Sequence, residues 1–195
     1  MTTTSSLKDT HIKGLFGDYE GKNENELLKL TELNDFLIVQ IVRYKQSSIQ
    51  NKDIKIDNLN FNDETLTVIC NNNTRILWNG PNNWLLISKK KEILNEIYQK
   101  LDEIDFAITN LSHSRTIIQV EGNNVKEILK KGCPYNFNEL KNNNSLNSSY
   151  NGMSVTIDML DDKPDKIRIF TLRSFGESLY HSITDACLEY GYKSV

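Results

Sequence analysis

A serine, a histidine, a second serine and an arginine follow one another at Ser112-His113-Ser114-Arg115, and together they resemble the parts of a hydrolase site. A hydroxyl beside an imidazole is the arrangement in which a general base activates a nucleophile. Adjacent side chains in an extended segment point to opposite faces, however, so His113 is poorly placed to serve either serine. The chain offers no acid beside the group and no GxSxG nucleophile elbow. We therefore predict structural roles for these residues.

Cys133 is a second candidate nucleophile, since it follows Gly132 at the end of a predicted helix. The C-terminal end of a helix is the negative end of its dipole, which raises the pKa of a thiol. We therefore expect Cys133 to be a small buried hydrophobic residue. A hydrolase that uses His113 with Cys133 or a serine is the interpretation that the sequence favours least.

Metal and nucleotide sites are not indicated by the sequence. The three cysteines, Cys70, Cys133 and Cys187, are odd in number and widely spaced, which fits neither a disulfide framework nor a CxxC metal site. The chain lacks a GxGxxG or Walker motif. His11 has no ligand at metal-binding spacing, and His181 falls on the polar face of a predicted helix. We predict no bound metal or cofactor.

Composition argues against several classes of partner. The 195 residues carry a formal net charge of -3, so the chain lacks the cationic field that attracts nucleic acid or an anionic membrane. A hydrophobic content of 38% is typical of a globular protein, and the length fits one domain. Residues 1–8 lack the pattern of a signal peptide, and no later run is long enough to span a bilayer. These features predict a cytoplasmic protein.

The elements that position the candidate residues alternate between strands and helices. Apolar patterning predicts strands at residues 36–44, 66–70, 75–78, 84–87, 106–108, 116–120, 153–159 and 167–172. Helical spacing predicts a helix after an N-cap at Ser88 and a short helix that Gly132 ends. A polar loop then reaches about Asn151, and the last helix begins with a capping box of Ser174 and Glu177.

The order of these elements favours the α+β class, with antiparallel sheet and helices packed on one side. Residues 1–35 are polar and only weakly periodic, so we predict an N-terminal extension that lies across a partner. Residues 36–195 are predicted to form a single α+β domain. Trp78 and Trp84 flank a Gly-Pro turn and are either core residues or aromatic anchors at an interface.

Four blocks, in their order and spacing, resemble the gamma subunit of heterotetrameric bacterial sarcosine oxidase. The blocks are residues 75–87, 110–116, 132–134 and 173–179. The resemblance extends over roughly residues 36–191, and its specificity comes from the joint occurrence of the blocks. Asn110 and Asn136 stand where that family usually has acidic residues.

This resemblance implies a truncated form of the folate-binding aminomethyltransferase fold. It implies a non-catalytic subunit that works beside alpha, beta and delta subunits, with alpha as its most direct partner. Such a complex demethylates sarcosine to glycine and forms hydrogen peroxide and 5,10-methylenetetrahydrofolate. The FMN, FAD, NAD, tetrahydrofolate and zinc of the complex would lie on the other subunits.

Two roles follow for the chain itself. As a subunit it presents an interface, for which the candidates are Trp78, Trp84, His113, Arg115 and Phe175. The alternative is a stand-alone folate-binding protein of one-carbon metabolism with the same fold, whose pocket would be lined by residues such as Trp78, Trp84 and Tyr180.

Overall fold

The computed structural model describes residues 5–195 and divides the chain into two compact units. The first unit contains residues up to Asn34 together with Ser114–Asn142 and Asn147–Val195. The second unit contains Asp35–His113 and Asn143–Leu146. None of the helices in the described part of the chain is both long and apolar enough to cross a membrane.

The described residues form fourteen strands, three α-helices and three short 3₁₀ turns. The strands are β1 (Gly14–Phe16), β2 (Leu28–Leu33), β3 (Leu37–Arg43), β4 (Lys55–Ile56), β5 (Leu59–Asn60), β6 (Val68–Cys70), β7 (Thr74–Gly80), β8 (Asn83–Ser88), β9 (Phe106–Asn110), β10 (Arg115–Glu121), β11 (Ser145–Tyr150), β12 (Met153–Asp162), β13 (Asp165–Leu172) and β14 (Tyr192–Ser194). The helices are α1 (Ile93–Lys100), α2 (Val125–Lys130) and α3 (Gly176–Leu188), and the 3₁₀ turns are Glu24–Glu26, Asn51–Asp53 and Arg173–Phe175.

A seven-stranded sheet forms the first unit, in the order β1-β14-β2-β10-β13-β12-β11. β1 with β14, β2 with β10, β10 with β13 and β13 with β12 are antiparallel pairs, whereas β14 runs parallel to β2. Alternate residues of β2, β10 and β13 are apolar and share one face, where Leu30, Ile118 and Ile167 have no exposed surface. Helices α2 and α3 pack on these strands, and α3 contributes the fully buried Leu179 and Ile183.

A five-stranded antiparallel sheet forms the second unit, in the order β6-β7-β8-β3-β9. The predicted meander of residues 66–87 is confirmed, and β3 is an internal strand as predicted. One face of this sheet packs with α1 and the β4–β5 hairpin into a core that includes Ile41, Trp84, Ile97 and Phe106. Both units therefore have a sheet with helices on one face, antiparallel apart from the pairing of β14 with β2, and the α+β prediction is confirmed.

A mostly buried carboxylate organises the polar end of the second unit. Asp57 sits in a turn with a φ of 47°, and its side chain is only 11% exposed. It accepts hydrogen bonds from Thr74 Oγ1 at 2.6 Å, Asn71 Nδ2 at 3.0 Å and Lys90 Nζ at 2.9 Å. Burial alone would raise the pKa of Asp57, but these hydrogen bonds outweigh it and lower the pKa below its usual value.

The N-terminal residues are organised differently from the predicted extension. Residues 1–4 lie outside the described part, but Leu28–Leu33 forms an internal strand of the seven-stranded sheet, between β14 and β10. Leu28 and Leu30 are buried and alternate with Lys29 and Thr31, which is the period of a strand. The chain also divides near residues 34 and 113, whereas the sequence placed residues 36–195 in a single domain.

The predicted N-cap at Ser88 is wrong. Ser88 is the last residue of β8, where its hydroxyl lies 2.9 Å from Thr74 Oγ1 and accepts a hydrogen bond from the Lys90 amide. Helix α1 begins only at Ile93, and Glu92 occupies its N-cap position. The sheet therefore holds the hydroxyl that the sequence assigned to the helix.

The capping box and the polar loop are also corrected by the structure. Ser174 belongs to a 3₁₀ turn, and α3 follows Phe175 without a side-chain cap, so Ser174 and Glu177 form no capping box. Part of the predicted loop forms β11, the last strand of the seven-stranded sheet. Only Leu146 and Tyr150 interrupt the polar residues of β11, so its sequence carries little strand signal.

Candidate subunit interface

The segment that joins β9 to β10 is held by hydrogen bonds of its own side chains. Asn110 Oδ1 accepts from the Ser112 amide at 3.0 Å and from Ser112 Oγ at 2.6 Å. Ser112 Oγ in turn accepts from the Ile38 amide at 3.0 Å. The Ser112 hydroxyl is therefore engaged as both donor and acceptor within the second unit. These hydrogen bonds hold the turn together.

His113 lies at the exposed tip of this turn. Cys133, its proposed partner in a hydrolase, is 5% exposed, and its thiol lies 3.1 Å from Ser148 Oγ. Burial raises the pKa of Cys133, so the thiol stays protonated near neutral pH. Neither residue has the pairing of nucleophile and base that the hydrolase interpretation requires.

Two of the four sequence blocks meet within the first unit. The Arg173 amide donates to the Ser114 carbonyl at 2.9 Å, which continues the pairing of β10 with β13. A β-carbon added at Gly176 would lie 2.6 Å from Thr116 Oγ1 and 3.2 Å from Ser6 Oγ. Glycine at residue 176 therefore lets the start of α3 approach β10 closely.

The block around Gly132 packs under an aromatic ring. A β-carbon at Gly132 would lie 2.7–2.8 Å from atoms of the Tyr150 ring. The Tyr150 hydroxyl donates to the Ile128 carbonyl at 2.9 Å, and the Asn151 amide donates to the Gly132 carbonyl at 2.8 Å. Burial raises the pKa of Tyr150 well above its usual value, so the hydroxyl remains a donor. This block connects α2 to β11 and has a packing role.

The structure separates the two tryptophans. Trp84 is 1% exposed, stacks edge-on against Phe61 at 5.1 Å and donates from Nε1 to the Asn62 carbonyl at 2.7 Å. Trp84 therefore belongs to the core and not to the candidate interface, which corrects the prediction. Trp78 pairs with Trp84 across β7 and β8 and is partly exposed. The turn between them is tied to β3 by the Asn82 carbonyl, which accepts from the Arg43 amide.

The folate pocket of the alternative interpretation is not supported. Trp84 lies in the core of the second unit, and Tyr180 is 4% exposed on α3 in the first unit. Two cavities of the described chain are lined by other residues, and neither includes Trp84, Tyr180 or Trp78. The larger cavity has a volume of about 820 Å³ and lies at one end of the seven-stranded sheet. Its lining is charged, and it includes the ion pair between Lys193 and Glu24.

Metal ligands are not gathered in the described part of the chain. Among residues 5–195 no group of three His, Cys, Asp or Glu side chains is placed to hold an ion. Burial raises the pKa of Cys187 to about 12, so this second thiol is also poorly suited to act as a ligand or a nucleophile.

Two of the predicted interface residues, Arg115 and Phe175, lie in the first unit. Arg115 is charged, and Phe175 is apolar. Arg115 starts β10 and is partly buried, and Phe175 is 41% exposed before α3. Leu172, which the sequence did not single out, lies across from Arg115 and is 42% exposed. The alternation along β13 does not reveal the exposure of Leu172, because Phe170 has the same phase and is buried.

A family model for the sarcosine oxidase gamma subunit matches residues 58–189 of the chain. This chain belongs to the sarcosine oxidase gamma subunit family. A curated member, the gamma subunit of sarcosine oxidase from Corynebacterium sp. strain U-96, is 27% identical over 125 residues. That match covers 63% of this chain and 60% of the relative's length. The predicted family resemblance is confirmed.

Two solved structures have a fold similar to that of this chain. A chain of the heterotetrameric sarcosine oxidase from Corynebacterium sp. U-96, in complex with pyrrole 2-carboxylate, aligns with a TM-score of 0.74, 21% identity and 87% coverage of both chains. The glycine cleavage system aminomethyltransferase T from Bartonella henselae aligns with a TM-score of 0.56 and 9% identity, over 82% of this chain and 46% of that one. The aminomethyltransferase-like fold is thus confirmed for this family member.

Proposed function

We propose that this chain is the gamma subunit of a heterotetrameric sarcosine oxidase and has no active site of its own. The family match over residues 58–189 is the observation that carries the proposal. The side chains support the proposal, because the candidate catalytic residues Ser112 and Cys133 are engaged in contacts within the fold. The Ser112 hydroxyl holds a turn, and the Cys133 thiol is buried and protonated.

The complex in this proposal oxidises sarcosine to glycine, with oxygen reduced to hydrogen peroxide and the one-carbon unit passed to tetrahydrofolate. FMN, FAD, NAD, tetrahydrofolate and zinc are assigned to the alpha, beta and delta subunits. The present chain contributes a rigid interface to the assembly. The complex is proposed to be cytoplasmic. A rigid sheet with one face covered by its own helices is suited to that task.

The alpha subunit is the proposed direct partner, and Trp78, His113, Arg115 and Phe175 are the proposed contact residues. Each of the four has solvent-accessible surface in the described structure. Aromatic and arginine side chains are the types that contribute most to protein interfaces, because they combine large contact area with directional hydrogen bonds. Their exposure in the isolated chain is what an unformed interface requires.

Co-expression tests the proposal. The chain expressed alone is expected to be poorly soluble, and co-expression with the alpha subunit is expected to recover it in a complex of defined mass. Size-exclusion chromatography with light scattering measures both outcomes. A monodisperse, thermally stable monomer that ignores the alpha subunit would refute the subunit assignment. Saturable binding of tetrahydrofolate by such a monomer would instead support the stand-alone alternative.

A further inference from the structure

Arg115 carries a positive charge for which the described chain provides no counter-ion. Its guanidinium is partly buried at the start of β10, and both of its hydrogen bonds go to Ser114, at 3.2 Å to the carbonyl oxygen and 3.2 Å to Oγ. None of the salt bridges among residues 5–195 includes Arg115. Burial lowers the pKa of this side chain, which is the sign of a cation that has lost water without gaining an anion.

Apolar surface opens beside this charge. Leu172 lies directly across from Arg115 in the pairing of β10 with β13, so their side chains share one face of the sheet. The two preceding residues of β13, Phe170 and Thr171, are each 2% exposed, whereas Leu172 is 42% exposed. Phe175, at the end of the 3₁₀ turn that follows Leu172 and contacts β10, is 41% exposed. We call Arg115, Leu172 and Phe175 the Arg115 patch.

We infer that the Arg115 patch docks a segment of the alpha subunit in which an aspartate or glutamate is flanked by apolar side chains. The carboxylate accepts two hydrogen bonds from the guanidinium, which is the preferred geometry for this pair. The flanking side chains cover Leu172 and Phe175 and exclude water from the ion pair. The inference rests on the proposed function and adds the chemistry that the partner must supply.

A second copy of this chain is a poor occupant for the same surface. Two-fold contacts place a patch against itself, and the Arg115 patch contains no acid to receive the arginine of the other copy. Such a contact would bring two guanidinium groups together. A free anion also fits badly, since it would satisfy Arg115 but leave Leu172 and Phe175 in water. Only a segment with both properties uses the whole patch.

The experiment uses the chain co-expressed with a tagged alpha subunit. Arg115→Gln removes the charge, Arg115→Lys keeps it, and Leu172→Ser removes the apolar contact. Ile104→Ser is the matched control for exposed apolar area, because Ile104 is 77% exposed in the second unit. Lys45→Gln is the control for loss of an exposed positive charge. The co-expressed complex is captured through the tag of the alpha subunit, and the affinity is compared through the dissociation rate of this chain, measured by biolayer interferometry at low and high salt.

We expect Arg115→Gln and Leu172→Ser each to weaken the affinity at least about tenfold, while both control variants stay within about twofold of wild type. Arg115→Lys should retain part of the affinity, and the salt dependence of wild type should exceed that of Arg115→Gln. Melting temperatures of the variants verify folding. If Arg115→Gln does not fold, the affinities of Leu172→Ser and Arg115→Lys still test the docking inference.

The outcomes separate the two claims. Wild-type assembly with unchanged affinity in Arg115→Gln and Leu172→Ser would overturn the docking inference and leave the subunit assignment standing. A wild-type chain that does not bind the alpha subunit would overturn both. Equal losses in Ile104→Ser and Leu172→Ser would also refute the inference, because they would show a general effect of exposed apolar area.

Discussion

The close approach of α3 to β10 at Gly176 predicts that Gly176→Ala destabilises the chain, although alanine favours helix. A β-carbon would lie 2.6 Å from Thr116 Oγ1, well inside the normal separation of about 3.5 Å between packed heavy atoms. Forcing an extra carbon into a packed site costs about 1–3 kcal/mol. Alanine returns at most about 1 kcal/mol over glycine in a helix. An approach this close falls in the upper half of the range for packed sites, about 2–3 kcal/mol, so the net expected loss is about 1–2 kcal/mol.

That loss corresponds to a fall in melting temperature of roughly 2–8 °C for a chain of this length. The soluble fraction of the tagged chain, measured after stepwise heating of cell extracts, reports the shift whether or not a partner is bound. Ser178→Ala is the matched control, since Ser178 is exposed on the same helix and its substitution should be near neutral.

A double-mutant cycle identifies the cause. In a Thr116→Ala background the oxygen that meets the new carbon is gone, so Gly176→Ala should cost less than it does in wild type. Thr116→Ala also loses its contact with Ser6, but the cycle subtracts that loss. The same cost in both backgrounds, or a rise in melting temperature for Gly176→Ala alone, would refute the steric argument.

Three other substitutions test contacts elsewhere in the chain. Gly132→Ala should cost about 1–3 kcal/mol in urea unfolding, because its β-carbon would lie 2.7 Å from the Tyr150 ring; no loss would contradict that packing. The lowered pKa of Asp57 stabilises the fold at pH values above 3.8, the pKa of the unfolded chain, and this stability is lost as the pH falls through the pKa of the folded chain. Asp57→Asn should therefore flatten the dependence of the free energy of unfolding on pH below about pH 4. An unchanged dependence would exclude Asp57 as the cause of the acid destabilisation. Asn110→Asp should keep the free energy of unfolding within about 0.5 kcal/mol of wild type, because an aspartate oxygen can also accept the hydrogen bonds from Ser112. Asn110→Ala removes that oxygen and should lower the free energy of unfolding by about 1 kcal/mol. Equal stability of the two variants would contradict this role of Asn110.

Strong local patterns in the sequence predicted much of the fold. The meander of residues 66–87 and the hairpin of residues 153–172 are both present, because alternation of apolar residues and turn residues between strands are local signals. Strand β11 was missed because its residues are mostly small and polar, although the Asn151-Gly152 turn that joins it to β12 is a local hairpin signal. The cap at Ser88 failed because a sheet contact competed for the same hydroxyl.

The candidate interface was predicted only in part, because sequence does not measure exposure. Trp78 and Trp84 looked equivalent on either side of one turn, yet the second unit buries Trp84 in its core and leaves Trp78 partly exposed. Arg115 was singled out by its place in a block, but the absence of a counter-ion among the described residues became visible only with the fold. The same holds for Leu172, whose exposure depends on the end of a strand.

The parallel pairing of β14 with β2 affects how the protein folds during synthesis. β14, the last strand of the described chain, lies between β1 and β2, which are its first two. The sheet of the first unit therefore stays incomplete on the ribosome until β14 has emerged, whereas the second unit has almost all of its residues much earlier. During that interval β2 has one unpaired edge, and pairing over such sequence separation is slow. A partner or chaperone that engages the nascent chain would therefore meet a nearly complete second unit while the sheet of the first unit is still incomplete.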